Sequence, residues 1–371
     1  MGKCVLYHIG SLSPGGAQRQ LLYTALAAER RGYKVLLAVE KPSPHYESML
    51  GSSHIEVISL DLSSKSYRLL RRIRSLSVII KKTKPEIIHS FLPTNNLWAM
   101  FLSKLFKVPL KIASIRGTHP RAFDHVRLYH RFADMIICNT QLAKDISNRE
   151  YCVPKDKLLV VYNAIDLERF RDAKPLQDFR SILGLQPDTK LGVTVARFTE
   201  MKNHIGLVRS LGLLEKQGLL ENVHYLLCGY EKDKDLYGLV MEEIREMGLS
   251  KKITPLGQRE DIPEILKCCD FMVLSSFCEG FPNVVIEAMA SGVFVIATPT
   301  GGTVELVEHG KNALLTRGCT PQDLAEGIKE YLTLDEATGA RIRRGALEKA
   351  TEYDQEKAFN TIFELYEKTR I

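Results

Sequence analysis

The sequence predicts an α/β chain of two doubly wound, Rossmann-like domains, and three observations point there. Short apolar runs alternate with helical patterns from end to end, the βαβ rhythm of a parallel sheet. The rhythm breaks once, after Asp166, in a polar stretch with Pro175 and Pro187, and then resumes. A chain of 371 residues also exceeds one ordinary core. The expected parts are a first domain over 1–166, a linker over 167–188, a second domain over 189–352 and a final segment over 353–371. The two domains are expected to face each other across a central cleft.

The first domain should hold strands at Cys4–Ile9, Lys34–Val39, Glu56–Ser59, Glu86–His89, Leu110–Ile115, Met135–Asn139 and Lys157–Val161. The second should hold Leu191–Ala196, His224–Cys228, Ile253–Leu256, Phe271–Leu274 and Val293–Ala297. A last helix, about Asp354 to Lys368, follows the second sheet. Its apolar stripe of Phe359, Ile362, Phe363 and Tyr366 is available to pack back onto the first domain.

Composition narrows the class. The 45% hydrophobic content is that of a soluble globular protein, and no apolar stretch nears the length of a membrane span. The opening residues, Met1 to Ile9, are too short for a signal peptide and lead into a first strand. Position six is Leu6, not the Ser or Thr of a myristoylation signal. Eight scattered cysteines without a Cys-x-x-Cys suit a reducing cytoplasm, with neither a disulfide framework nor a zinc site.

The net charge of +7 is uneven. Residues 1–166 carry 25 Lys and Arg against 12 Asp and Glu, a net +13, and the rest carry 26 against 32, a net −6. The densest basic run is Lys65, Arg68, Arg71, Arg72, Arg74, Lys81, Lys82 and Lys84, with no acid between Asp61 and Glu86. Leu69, Ile73, Leu76 and Ile80 recur within it at helical spacing. This pattern fits a helix lying on an anionic membrane surface, and equally a core-facing stripe with a solvated basic back. Nucleic acid is the weaker partner, since no binding motif or aromatic interleaving accompanies the charge.

Three constellations carry chemistry. Gly10-Ser11-Leu12-Ser13-Pro14-Gly15-Gly16 joins the first strand to the first helix. Gly15 and Gly16 let backbone N–H groups approach a ligand, and a helix N-terminus favours an anion. The spacing is not G-x-G-x-x-G, so a nicotinamide cofactor is not indicated. Next, Arg197 and Lys202 flank the loop after the first strand of the second domain. Two cations there can neutralise a diphosphate, Arg as a planar fork and Lys as a point charge. Third, Glu279 and Glu287 stand eight residues apart in Glu279-Gly280-Phe281-Pro282-Asn283-Val284-Val285-Ile286-Glu287. A strand at Phe271–Leu274, a loop with Gly280 and a helix beginning near Pro282 and stopped by Gly292 put Glu279 at the carboxyl edge of the sheet. Glu287 then lies inside the helix and needs a partner if buried. Asp261 is expected to cap a helix. Asp233-Lys234-Asp235 has the D-x-D form of a metal motif but sits in a charged segment that reads as exposed.

Taken in order and at these spacings, the pieces resemble the retaining GT-B glycosyltransferases of family 4. The resemblance runs over nearly the whole chain and is carried by Gly15-Gly16, Tyr162-Asn163-Ala164-Ile165-Asp166, Arg197 with Lys202-Asn203, Gly257 with Asp261, and the E-x7-E motif of Glu279 and Glu287. It implies a nucleotide-diphosphate sugar as donor and a glycan or lipid-linked acceptor. Glu279 would bind hydroxyls of the transferred sugar and Glu287 the ribose. Arg197 and Lys202 would hold the diphosphate, and Gly16 would admit the donor. Backbone N–H groups of Phe281, Asn283 and Val284, beside Gly280, would support the sugar and phosphate. No metal or other cofactor is implied. Where similar enzymes often carry a His, this chain has Arg116, and His119 follows three residues later, so either can enter the site.

The rival readings explain less. A glycoside hydrolase also uses two carboxylates but leaves Arg197, Lys202 and the glycine pairs without a role. A nucleotide-sugar epimerase of the same fold and a non-catalytic nucleotide-sugar-binding protein remain as alternatives.

Overall fold

The computed structural model describes residues 3–13, 15–43, 49–51, 53–60, 68–231 and 233–368. The chain divides into two compact units. One runs to Ala164 and takes back the chain from Glu356, and the other is Ile165–Gln355.

The first unit is built on seven strands. They are β1 (Cys4–Ser11), β2 (Lys34–Lys41), β3 (Glu56–Ser59), β4 (Ile87–Phe91), β5 (Leu110–Ile115), β6 (Met135–Cys138) and β7 (Leu158–Val160), in the order β3-β2-β1-β4-β5-β6-β7. Every pair is parallel. Central strands are buried on both faces, which is why they read as continuous apolar runs. Alternate residues of β1 feed two cores. Leu6 packs with Leu36 and Ile88 on one face, while Val5, Tyr7 and Ile9 pack on the other.

The second unit carries β8 (Lys190–Val195), β9 (Val223–Cys228), β10 (Ile253–Gly257), β11 (Phe271–Leu274), β12 (Phe294–Ala297) and β13 (Leu314–Leu315), in the order β10-β9-β8-β11-β12-β13. This sheet too is parallel throughout. In each sheet the order reverses beside the first strand, between β1 and β4 and between β8 and β11. Such switch points open a crevice at the carboxyl ends of the strands, where ligands of doubly wound sheets bind.

Residues 167–188, polar enough to read as a linker, fold within the second unit. Asp166 caps a helix over Leu167–Arg171 by accepting from the Arg169 N–H at 3.1 Å, and Phe170 is buried. Arg180 pairs with Asp270 at 2.9 Å.

The last helix, Gln355–Glu367, belongs to the first unit, and Phe359, Ile362, Phe363 and Tyr366 enter its core. Tyr366 also completes a buried polar network. Its hydroxyl lies 2.8 Å from His89 Nδ1 and 3.1 Å from the Tyr7 hydroxyl, and His89 Nε2 lies 2.8 Å from Ser114 Oγ. One neutral imidazole tautomer satisfies all four groups: Nδ1–H donates to Tyr366, Tyr366 donates to Tyr7, and Nε2 accepts from Ser114.

The basic helix is Arg68–Thr83. Lys65 lies outside the described residues. Leu76, Ile79 and Ile80 are buried, with Ile73 packed against them, so most of the stripe faces the core. Leu69, expected in that stripe, is instead 48% exposed, one side of the helix being left over after the core is filled. Arg72 turns inward and pairs with buried Glu40.

Five imidazoles are held below their ordinary pKa of about 6.5, chiefly by burial: the buried His8, His89, His204 (to about 4) and His224, and the half-buried His130. A depressed folded-state pKa means that the unfolded chain binds more protons below pH ~6.5. Stability is therefore present above that pH and lost as pH falls, by up to ~1.4 kcal/mol per pH unit for each imidazole kept neutral. Thermal melts should show Tm steady from pH 8 to 7 and falling steadily from about pH 6.5 towards 4.5. A Tm unchanged over that lower range would contradict the buried neutral histidines.

Candidate active site at the edge of the second sheet

Two loops leave the second sheet at its switch point. The one after β8 carries Arg197 and makes a 3-10 turn over Glu200–Lys202 before the helix His204–Lys216. The one after β11 runs from Ser275 to Pro282 and enters the helix Asn283–Ala290. Gly292 follows that helix at φ +77, the left-handed turn expected where it stops.

The loops meet at a charge pair. Lys202 Nζ lies 2.5 Å from Glu279 Oε1, and Ser276 Oγ donates to the same oxygen at 2.5 Å. The Glu279 carboxylate is buried, with the residue 9% exposed. Lys202 is half-buried, and removing either partner leaves the other charge without its counter-ion in a largely water-excluded setting. Around it, Ser275 Oγ donates to the Lys202 carbonyl at 2.8 Å, and Phe277 N–H donates to the Met201 carbonyl at 2.9 Å. The Ser276 carbonyl accepts from Thr298 Oγ1 at 2.7 Å, tying in the loop after β12. Gly302 N–H donates to the Gly280 carbonyl at 2.7 Å, so the Gly301-Gly302 turn closes on the same loop.

The predicted donor residues of the second unit lie on these two loops and the helix that follows the second. Glu287 is 3% exposed in the middle of Asn283–Ala290, a carboxylate buried within an apolar helix. Phe281 and Asn283 are buried, and Val284, Gly280 and Arg197 are half-buried. Pro282 sits at the cap position of the helix rather than in its first turn. A close backbone approach supports the Arg197 loop. A Cβ on Gly229 would come within 1.8 Å of the Ala196 carbonyl oxygen, so only glycine lets the end of β9 pass there.

The other predicted residues lie in the first unit, at the carboxyl edge of its own sheet. Gly15 caps the helix Gly16–Arg30 in extended conformation. Arg116, just beyond β5, stacks its guanidinium 4.9 Å from the centre of the Phe91 ring and donates to Asn163 Oδ1 at 3.2 Å. Burial lowers its pKa to about 10, so it stays cationic at neutral pH. His119 is exposed and caps the short turn Pro120–Phe123. The fold thus holds Arg116 in place and leaves His119 at the surface.

One sequence expectation changes. Asp261 stands at the start of the helix Ile262–Cys268 but accepts no cap bond. Its carboxylate turns back to Arg259 at 2.5 Å, a stronger, charge-assisted partner. Asp233 caps the helix Lys234–Glu246, accepting from the Leu236 N–H at 3.1 Å. Sequence reasoning passed over Ser276 and Thr298, small hydroxyl residues whose role exists only once three loops converge. The one signal for them was position, directly after a buried strand.

Comparison with known proteins agrees with this geometry. Residues 177–348 match the family model described as glycosyl transferases group 1, and residues 14–169 match glycosyltransferase family 4. An Escherichia coli protein named UDP-Gal:alpha-D-GlcNAc-diphosphoundecaprenol alpha-1,3-galactosyltransferase is 27% identical over 65% of this chain, and the match spans 64% of that relative. A Campylobacter jejuni protein named N,N'-diacetylbacillosaminyl-diphospho-undecaprenol alpha-1,3-N-acetylgalactosaminyltransferase is 23% identical over 97% of this chain and 98% of its own length. Among solved structures, Anabaena HepE in complex with UDP and glucose superimposes with a TM-score of 0.85 at 23% identity, covering 99% of this chain and 100% of that one. A Rickettsia africae glycosyltransferase superimposes equally well, with a TM-score of 0.85 at 18% identity, covering 99% and 98%. The fold is therefore GT-B, and the chain belongs to the group 1, family 4 glycosyltransferases.

Proposed function

We propose that this glycosyltransferase moves a sugar from a nucleotide-diphosphate sugar to an acceptor hydroxyl with retention of configuration. The observation that carries the reading is the part-buried Lys202–Glu279 pair at the switch point of the second sheet, with Glu287 buried in the helix that follows the Glu279 loop and Arg197 on the same loop as Lys202. Arg197 and Lys202 are assigned to the diphosphate, Glu279 to hydroxyls of the transferred sugar and Glu287 to the ribose. For Gly15, Gly16, Arg116 and His119 the reading rests on the resemblance.

In the proposed step the bond from the anomeric carbon to the diphosphate oxygen breaks, and its electron pair leaves with the diphosphate. The acceptor oxygen bonds to that carbon on the same face. Its proton passes to the departing phosphate oxygen, so no protein nucleophile is needed. The two fixed cations and the N-terminus of the helix Asn283–Ala290 stabilise the leaving charge without reorganisation. The reading therefore needs no metal.

The acceptor side follows the relatives. Both curated names above specify a diphospho-undecaprenol acceptor, so a lipid-linked glycan of a bacterial envelope is the substrate class we favour. A lipid-linked acceptor calls for contact with a membrane from its cytoplasmic face. Among the described residues no helix is long and apolar enough to cross a membrane. The first unit instead exposes Leu69, Leu70 and Val78 on the helix Arg68–Thr83, beside exposed Arg74, Lys81 and Lys82. Apolar and basic groups interleaved this way suit an anionic surface, at about 1 kcal/mol per cation. Epimerisation and non-catalytic binding are not favoured.

Three outcomes are expected. Glu279→Gln and Lys202→Ala should each lower turnover about 10- to 150-fold, the worth of a charge-assisted hydrogen bond of roughly 1.5–3 kcal/mol, with the far-ultraviolet circular dichroism unchanged. Wild-type turnover in either variant would remove that residue from the site. Nucleotide release should depend on acceptor and survive dialysis against EDTA; a loss restored by Mg2+, or epimerisation of free donor, would overturn the reading. In flotation assays the protein should rise with anionic liposomes and not with neutral ones, and charge reversal at Arg74, Lys81 and Lys82 should abolish this. Failure to float with both would exclude the membrane surface.

A further inference from the structure

We infer that Asn203 is a positioning residue for the Lys202–Glu279 pair, an inference that rests on the donor-binding reading of that pair. Asn203 follows the 3-10 turn in the left-handed region, at φ 52 and ψ 43, a conformation open to glycine and a few short polar residues. Asn203 is buried, 7% exposed, and both amide hydrogens and the amide oxygen are engaged. Nδ2 donates to the carbonyls of Ser275 at 3.1 Å and Cys319 at 2.9 Å, and Oδ1 accepts from the Gly206 N–H at 3.2 Å.

A helix cap alone needs only the last of these bonds, and Asp, which also tolerates the left-handed region, would supply it. The two donated bonds leave the helix and fasten it to the loop that carries Glu279 and to the segment at Cys319. They are answered from the other side by Ser275 Oγ on the Lys202 carbonyl and by Phe277 N–H on the Met201 carbonyl. Lys202 is therefore clamped at the peptides on both sides. Gly206 is shaped to the same amide, since a Cβ there would lie 2.3 Å from Asn203 Oδ1. The reason for such a clamp is the lysine itself. Its ammonium ends a flexible four-carbon stem, so it is only as well placed as its Cα. Fixing that Cα against the Glu279 loop sets the cation before the donor arrives, and misplacement of about 1 Å can cost about 100-fold in rate.

A double-mutant cycle tests this, with UDP-glucose as the donor probe. Asn203→Gly keeps the backbone conformation and removes all three amide bonds. Asn203→Asp keeps the cap acceptor and sets a carboxylate against two carbonyls. Asn203→Gly should lower kcat about 10- to 100-fold in the otherwise wild-type chain. In a Lys202→Ala background the same change should add less than about 2-fold, because the two residues act as one unit. Asn203→Asp should lower kcat at least as far as Asn203→Gly, which a simple cap would not. The donor-free crystal structure of Asn203→Gly should show Lys202 Nζ out of hydrogen-bond reach of Glu279. Equal losses in both backgrounds, full activity in Asn203→Asp, or an intact ion pair in that crystal structure would each overturn the inference. Should UDP-glucose not be used, or Lys202→Ala keep full turnover, the donor reading fails instead, and the crystal structure alone decides the role of Asn203.

Discussion

The second unit is organised around one part-buried ion pair, Glu279 buried and Lys202 half-buried. Lys202 and Glu279 lie 77 residues apart in the chain and 2.5 Å apart in space. Losing one member of such a pair leaves the other charge largely out of water without its partner. The fold must therefore bring both in together. Parallel order with a reversal between β8 and β11 does so by placing the carboxyl ends of those strands side by side. Ser276, Ser275 and Thr298 then satisfy the polar atoms that the meeting of loops would otherwise leave buried and unpaired.

What the sequence made legible follows from burial. Strands such as β1, β5 and β11 lie between two layers and read as unbroken apolar runs. The two-residue β13 has no periodicity to read and was not expected. The stretch 167–188 looked like a linker because it is polar and contains proline. It folds because Phe170 and Phe179 are buried and Arg180 finds Asp270. The basic helix shows a limit of another kind. Its apolar spacing is the same whether Leu76 and Ile80 meet a core or a membrane, and only the sheet beside it decides for the core. Glu279 and Glu287 were readable as a pair because their spacing fixes one on a strand-end loop and one in a helix. The amide bonds of Asn203 were not readable, because their acceptors are backbone carbonyls 72 and 116 residues away.

The first unit is completed by the end of the chain. Tyr366 donates to Tyr7 and meets His89, so the last helix supplies a member of the network beneath β1, β4 and β5. Four aromatic and aliphatic side chains of that helix fill the same core. A buried network of this sort stabilises when every member is satisfied and costs when one is lost. The edge above it holds Arg116 against Phe91 and Asn163, a fixed cation just beyond β5.

The central claim is that the Lys202–Glu279 pair receives the donor. A crystal structure with UDP-glucose bound tests it most directly. The account predicts diphosphate oxygens within hydrogen-bond distance of Arg197 and Lys202, the ribose on Glu287, and glucose hydroxyls on Glu279. A nucleotide bound elsewhere, or one whose phosphates leave Lys202 untouched, would contradict it.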